Sequence, residues 1–200
     1  MSEDFNVFKH IHPEDFGNME DMKKSGSYSV EFIFPRAGKY IIAIDFMIDD
    51  DMIAKHFIVD VKGEPKLDKL NPDFSREFNF DGYNVDLTIP DKITSGEEFV
   101  LNYRVEKDGE PVTDLEPYLG APMHVAVISI DLKNFAHTHG ELDSSGMMNE
   151  GVNHEMGLPE KFGPEIKAHV TFPAKGIYFV AGEINHNGKV IVSKFMIDVK

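Results

Sequence analysis

The chain contains two unequal copies of one sequence unit. "SEDFNVFKHIH" from Ser2 matches "SIDLKNFAHTH" from Ser129 at five of eleven positions, with an offset of 127 residues. "FPRAGKYIIAIDF" from Phe34 matches "FPAKGIYFVAGEI" from Phe172, and "FIVDVK" matches the C-terminal "FMIDVK", both with an offset of 138. Because a repeated sequence reflects a repeated structural unit, the fold must be one that this unit can build twice. The larger offset indicates a longer loop after the histidine pair in the second copy.

The repeated unit reads as short β-strands. "YSVEFIF", "KYIIAIDF" and "IAKHFIVDV" in the first copy, and "IKAHVTF", "IYFVAGEI" and "KVIVSKFMIDV" in the second, are rich in β-branched and aromatic residues and partly alternate. Pro and Gly precede strand-opening tyrosines in "FPRAGKY" and "FPAKGIY", and "NHNGKV" contains an Asn-Gly hairpin signal. No helical periodicity is sustained over about ten residues, so the sequence predicts an all-β fold.

The second copy has further strands upstream, "YNVDLTI", "EEFVLNYRV" and "MHVAVISI", and a short strand at 133–139. The total of about seven is typical of an immunoglobulin-like β-sandwich. Gly38-Lys39-Tyr40 and Gly176-Ile177-Tyr178 resemble the tyrosine corner of such sandwiches. The alternative interpretation is an ordinary turn followed by a strand.

The first copy has no counterpart of residues 83–127, and Met1 aligns with Ile128, inside an expected core strand. We therefore predict an incomplete immunoglobulin-like repeat at 1–62, a charged linker at 63–80 and a complete sandwich at 81–200. The first repeat should expose a sheet edge and half of a core. We expect either that Met1 is internal to a longer natural protein, or that the missing strands come from a protein partner, self-association or packing on the second domain.

The charge of the chain restricts its partners. With 20 Lys and Arg against 35 Asp and Glu, the formal net charge is −15, which disfavours nucleic acid and anionic lipid and favours cations. No apolar run approaches the roughly 20 residues of a transmembrane helix, and "MSEDFNVFKHIHPEDF" lacks the features of a signal peptide. Because the chain has no cysteine, a metal site must use His, Met, Asp and Glu.

A histidine pair in the second copy is the strongest candidate for a metal site. His137 and His139 share one face of a strand, where two imidazoles can hold one ion. The polar loop that follows adds imidazole and thioether groups, the ligand set that suits copper, at His154, Met147, Met148 and Met156. Zinc is the alternative metal. The loop also fits a flexible acidic surface whose methionines contact a protein partner.

His124, in "PMHVAVISI", should lie on the strand beside the histidine pair and is a candidate third ligand, or else a core histidine. The first copy repeats the pattern more weakly, with His10 and His12 followed by Met19 and Met22. "DFMIDDDMIAKH" lacks the spaced ligands of a calcium loop and predicts an acidic hairpin turn.

Catalytic motifs are absent from the sequence: it has no Gly-x-Ser-x-Gly, no His-Glu-x-x-His and no glycine-rich phosphate loop. We therefore predict a protein that is not an enzyme and that binds a metal for buffering or delivery. The alternative is an adhesion or scaffold module that uses the His/Met loop for protein contacts.

"DLEPYLGAPMHVAVISIDLKNFAHTHGE", joined to "TFPAKGIYFVAGEI" and "FMIDV", resembles bacterial extracytoplasmic immunoglobulin-like repeat proteins akin to YtkA-like domains, which are often considered alongside copper handling. Residues 114–200 carry the whole pattern and residues 2–62 its second half. The resemblance implies an extracytoplasmic location and a site at His124, His137 and His139, with His10 and His12 in the first copy. The first copy departs from it in lacking a counterpart of His124 and in having Pro13 where the second has Gly140.

Overall fold

The computed structural model describes residues 1–13, 16–48, 51–65, 71–142 and 158–200. The chain forms two compact units, Met1–Asn71 and Pro72–Lys200. The predicted linker at 63–80 contains the boundary between them, and its last four residues form a strand of the second unit.

The second unit contains nine strands in its described part. They are β3 Glu77–Phe80, β4 Tyr83–Thr88, β5 Glu98–Lys107, β6 Glu110–Pro111, β7 His124–Ser129, β8 Phe135–Glu141, β9 Glu165–Thr171, β10 Gly176–His186 and β11 Lys189–Val199. The three predicted upstream strands are β4, β5 and β7. The prediction of about seven strands missed only the short β3 and β6, whose few residues give little periodic signal.

The strands pair in the order β11-β10-β7-β8-β9-β5-β4-β3, with β6 on β5, and all the pairs are antiparallel. The link between β8 and β9 is short, with only Gly140 opposite Ala168 and Glu141 opposite Lys167. The sheet turns there into two layers, and apolar side chains from both layers form one buried core. The predicted all-β, immunoglobulin-like sandwich is confirmed.

Alternation explains how the layers enclose this core. In β4, Tyr83, Val85 and Leu87 are buried, while the residues between them are less so. β7 differs because both of its faces are buried. Val125 and Val127 belong to the core of the sandwich, so the other face of β7 carries His124, Ala126 and Ile128.

Turn chemistry agrees with the sequence. β10 and β11 are joined by Asn187 and Gly188, which have φ values of 52° and 72°, as a two-residue type I′ hairpin requires. The hydroxyl of Tyr178 donates to the carbonyl of Ala174 at 2.9 Å. This is the hydrogen bond of a tyrosine corner.

The first unit repeats these features position by position. Its strands β1, Gly38–Ile48, and β2, Asp51–Val61, pair with Gly38 opposite Val61, just as Gly176 lies opposite Val199 in β10 and β11. The Tyr40 hydroxyl donates to the Arg36 carbonyl at 3.0 Å. Each copy therefore contains the same type of hairpin and its own tyrosine corner.

The serine turns of the two copies also match. Ser2 donates through its hydroxyl to Asp4 at 2.7 Å, and Ser129 does the same to Asp131 at 2.7 Å. Each serine hydroxyl also accepts a backbone N–H five residues further on, at 2.9 Å in both copies. The sequence identity between the copies thus reflects the same set of hydrogen bonds.

One predicted strand of the first copy is wrong. Residues 28–34, "YSVEFIF", form no strand, although the equivalent β9 is one. β9 lies between β5 and β8 in the ladder, whereas the described part of the first unit has only β1, β2 and a helix. Strand propensity alone does not form a strand when neighbouring strands are missing.

The helix of the first unit, α1, spans Met19–Ser25. Asn18 caps its start by accepting two backbone N–H groups, and Gly26 ends it in the left-handed conformation. This helix was not predicted because it is only seven residues long. The described part of the chain contains no helix with the length and apolarity that a membrane crossing needs.

Replacing Tyr178 with Phe tests the tyrosine corner. The change removes the hydrogen bond to the Ala174 carbonyl, and we expect the free energy of unfolding to fall by about 1 kcal/mol in denaturant titrations. Tyr103→Phe is the matched control, because the buried Tyr103 hydroxyl has no hydrogen-bond partner among the described residues. Its removal should leave stability unchanged or raise it, and equal losses in both variants would contradict this account.

Candidate metal centre

Strand register brings three histidines together in the second unit. β7 and β8 pair with His124 opposite His139 and with Ala126 opposite His137. Residues opposite one another in an antiparallel pair share a face, and so do residues two apart in one strand. All three imidazoles therefore project from the face of β7 and β8 that is turned away from the core.

The three rings are in close contact. Nδ1 of His124 lies 3.2 Å from Nε2 of His137. The ring centroids are 5.4 Å apart for His124 and His137, 4.7 Å for His124 and His139, and 4.9 Å for His137 and His139. His124 is buried, His137 is half-buried and His139 is exposed. The cluster thus has a buried base and a side open to solvent.

A tight turn orients His124. Tyr118 and Ala121 exchange two backbone hydrogen bonds, and between them Leu119 and Gly120 have φ values of 50° and 82°. The carbonyl of Tyr118 lies 2.9 Å from Nε2 of His124. A carbonyl can only accept, so in neutral His124 the proton is assigned to Nε2. The lone pair of Nδ1 then points toward His137.

Close packing on the opposite face explains why Gly140 follows the histidine pair. A Cβ atom at Gly140 would lie 2.6 Å from Ile166 Cγ2 and 2.8 Å from Met123 Cβ. The Gly140 N–H donates to the Met123 carbonyl at 2.7 Å. A side chain here would push β8 away from β7. Close packing thus explains why the second copy has glycine at this position, where the first copy has Pro13.

Sequence reasoning missed a buried carboxylate near the histidines. Glu183 of β10 lies opposite His124 in the ladder and is 5% exposed. The row Glu183, His124, His139 thus runs across three strands on one face. The repeat contains a signal that could have identified this carboxylate, since the first copy also has an acidic residue, Asp45, at the position equivalent to Glu183.

The other predicted ligands lie either outside the described residues or in the first unit. His154, Met147, Met148 and Met156 lie outside the described residues. His10 and His12 belong to the first unit, where their ring centroids are 4.8 Å apart in a segment that forms no strand. Met19 and Met22 lie on α1. All of these assignments stay predictions.

Another histidine, to which the sequence assigned no role, joins the two layers of the second unit. Nδ1 of the buried His186 lies 2.7 Å from the hydroxyl of Tyr83, and its Nε2 lies 3.0 Å from Oδ1 of Asp114. Tyr83 starts β4 and His186 ends β10. Both ring nitrogens of His186 are therefore used in cross-linking the fold.

Comparison with known families identifies the second unit. The sequence profile of the family described as "Domain of unknown function (DUF8832)" matches residues 78–200. The chain belongs to this DUF8832 family. The match includes all three clustered histidines and excludes the first unit. The finer resemblance to YtkA-like domains and the link to copper stay predictions.

Two solved structures are distantly similar to this DUF8832 protein. One is the CARDB domain of the PF1109 protein from Pyrococcus furiosus, in complex with di-metal ions, at 14% identity over 70% of this chain and 100% of that chain, with a TM-score of 0.30. The other comprises domains 4 and 5 of the S-layer protein SbsC, at 10% identity over 82% of this chain and 65% of that chain, with a TM-score of 0.30. Similarity at this level transfers neither ligand nor role. None of the curated proteins compared with the chain matches it.

The turn before β8 gives a prediction about pH. A hydrogen bond from the Ser129 hydroxyl is the main cause that lowers the pKa of Asp131. Such a carboxylate stabilises the fold above its unfolded pKa of about 3.9, and this contribution is lost as the pH falls through the lower folded pKa. The free energy of unfolding should therefore fall less between about pH 5 and pH 2 in Ser129→Ala than in the wild type. Equal acid-induced losses in both proteins would show that the hydroxyl does not set this pKa.

Proposed function

We propose that the second unit is a metal-binding module, not an enzyme, in which His124, His137 and His139 hold one copper ion for buffering or delivery. The observation that carries this proposal is the 3.2 Å separation between Nδ1 of His124 and Nε2 of His137, with the His139 ring beside both.

The spacing of the nitrogen atoms supports metal binding. Two imidazole nitrogens that each lie about 2.0 to 2.1 Å from one tetrahedral ion are about 3.3 Å apart. The separation of 3.2 Å between His124 and His137 is close to this value. Little movement of the side chains is needed for both nitrogens to face one ion.

The orientation of His124 supports the same proposal. Metal-binding histidines usually donate their other ring N–H to a carbonyl or carboxylate, which fixes the tautomer. The Tyr118 carbonyl is placed to accept that proton. The nearby carboxylate of Glu183, and the net charge of −15, favour a cation over an anion.

The choice of copper depends on the ligand types. Imidazole suits both copper and zinc, and Cu(II) binds a given nitrogen site more tightly than Zn(II). Thioethers favour Cu(I), so Met147, Met148 and Met156, which follow β8 in the sequence, favour copper over zinc. The resemblance to YtkA-like domains adds a copper association and an extracytoplasmic location, which we include in the proposal.

Buffering or delivery suits a site with one open side. The exposed His139 gives an ion a route to a competing ligand, whereas a structural metal site is usually closed by four protein ligands. Three ligands on two neighbouring strands also hold an ion without a change of fold.

Copper titration of purified protein tests the proposal. We expect one Cu(II) ion per chain, and His137→Ala should weaken its affinity by about 100-fold or more because a ligand is lost. His169→Ala is the matched control: His169 lies on β9, is 43% exposed and is not part of the cluster, so its loss should leave affinity unchanged. Weak binding that responds equally to both changes would contradict the proposal and favour the scaffold alternative.

Metal affinity should also depend on pH. Imidazole must lose its proton to bind a metal, so protons compete with the ion and Cu(II) affinity should fall below about pH 6. Thioethers do not titrate, so any contribution from Met147, Met148 and Met156 should leave residual Cu(I) affinity at low pH. Cu(II) affinity that stays constant from neutral to acidic pH would contradict histidine ligation.

A further inference from the structure

Strand β10 of the second unit changes its partner near its C-terminal end. His124 of β7 lies opposite Glu183, and two positions further along β10, Asn185 forms an isolated antiparallel bridge with Glu116. Both ends of the segment 117–123 are therefore paired with the same strand. We name this segment the Tyr118 loop. A short loop between fixed ends has few conformations, so its contacts with His124 are well defined.

The Tyr118 loop contains a strained turn. Tyr118 and Ala121 exchange two backbone hydrogen bonds, and the φ values of Leu119 and Gly120 between them are 50° and 82°. A leucine in the left-handed region costs conformational free energy, because its Cβ crowds the backbone. Such strain persists only where the surrounding structure holds it, and it is concentrated at functional sites. The turn therefore needs support from residues outside it.

The Tyr118 loop contacts the imidazole of His124 in two ways. The carbonyl of Tyr118 lies 2.9 Å from Nε2 of His124. The Tyr118 ring also meets the His124 ring edge to face, with centroids 5.8 Å apart. The position of the loop thus sets the orientation of this imidazole, whose Nδ1 lies 3.2 Å from His137.

Glu116 fastens the start of the Tyr118 loop to β10 and to the turn that follows it. Its backbone N–H donates to the Asn185 carbonyl at 3.0 Å. Its carboxylate accepts from Nδ2 of Asn185 at 3.4 Å and from the N–H of Gly188 at 3.3 Å. The two carboxylate bonds are long and individually weak, but both donors belong to the same end of one hairpin. Glu116 is thus held at three points.

The chain before Glu116 is fixed by other contacts. Asp114 accepts from Nε2 of His186 at 3.0 Å. Leu115 is fully buried and exchanges two backbone hydrogen bonds with Phe162, at 2.9 and 3.0 Å. These contacts do not involve the Glu116 side chain. Loss of that side chain should therefore loosen the Tyr118 loop without opening the sandwich.

We propose that Glu116 is a positioning residue for the metal centre. Its carboxylate ties the Tyr118 loop to the turn between β10 and β11, and the loop holds the Tyr118 carbonyl on Nε2 of His124. Groups that orient a ligand imidazole change metal affinity although they do not touch the ion. The metal in this inference rests on the proposed function, whereas the hydrogen bond to His124 does not depend on a metal.

Solvent exchange of the Nε2 proton of His124 tests the proposal in metal-free protein. NMR of the full chain at neutral pH measures it, since a proton held by the Tyr118 carbonyl is protected. We expect Glu116→Ala to raise the exchange rate by roughly threefold to tenfold, the effect of losing one or two weak hydrogen bonds. The amide proton of Val180, a fully buried core residue, reports opening of the whole sandwich and should change less.

Two further variants separate hydrogen bonding from charge. Glu116→Gln keeps an acceptor oxygen and should restore exchange close to that of the wild type. Glu97→Ala is the matched control, because Glu97 is exposed and its loss removes the same charge without touching the Tyr118 loop. Equal effects of Glu116→Gln and Glu116→Ala would overturn the proposal, as would a wild-type Nε2 proton that is not protected from exchange.

Gly120→Val tests the turn itself. A Cβ atom at Gly120 would meet nothing within 4 Å, so this change acts only through the backbone conformation that glycine allows. It should raise the exchange of the His124 proton at least as much as Glu116→Ala does. Exchange like that of the wild type would show that the turn does not hold His124, and it would overturn the proposal.

Copper titration of the same variants connects the loop to the metal centre. Glu116→Ala should weaken Cu(II) affinity roughly tenfold, whereas Glu116→Gln and Glu97→Ala should bind as the wild type does. Affinity and exchange that are both unchanged in Glu116→Ala, or faster exchange with unchanged affinity, would overturn the proposal. A wild-type protein that binds no Cu(II) would contradict the proposed function instead, and the exchange rates would still decide whether Glu116 positions His124.

Discussion

The candidate metal centre depends on the pairing register of β7 and β8. Val125 and Val127 fix that register because they are fully buried in the core. A slip of one residue would turn the polar His124 into the core and move these valines to the other face of β7, at a cost in desolvation of the imidazole and in core packing. Gly140 and the serine turn at Ser129 hold the two ends of β8 in place. Packing on one face of the strands thus sets the distance between imidazoles on the other face.

The two repeats show how much of a fold local sequence can determine. Both contain the same hairpin, tyrosine corner and serine turn, because these features depend on hydrogen bonds within a few residues or between adjacent strands. They differ in what covers the hairpin, which depends on strands far away in the sequence. In the second unit those strands complete a sandwich, whereas in the first unit the equivalent apolar face is exposed.

The sequence predicted most of the second unit because repeats, alternation and Asn-Gly turns are local signals. It also predicted that His124, His137 and His139 lie on neighbouring strands. The sequence-based prediction failed where neighbouring strands decide whether a segment forms a strand. Residues 28–34 have strand propensity, but the described part of the first unit provides no strand beside them. The importance of Glu183 was missed because its position opposite His124 follows only from the three-strand register. The helix α1 was missed because its caps, Asn18 and Gly26, enclose too few residues for a periodic pattern.

The central claim is that His124, His137 and His139 bind one ion together. X-ray absorption spectroscopy at the copper edge, on protein loaded with one equivalent of Cu(II) at neutral pH, tests it most directly because scattering from imidazole rings is distinctive. The account predicts three imidazole nitrogens at about 2 Å from copper, with one of them lost in His137→Ala. A first coordination sphere with at most one imidazole, unchanged in that variant, would contradict it.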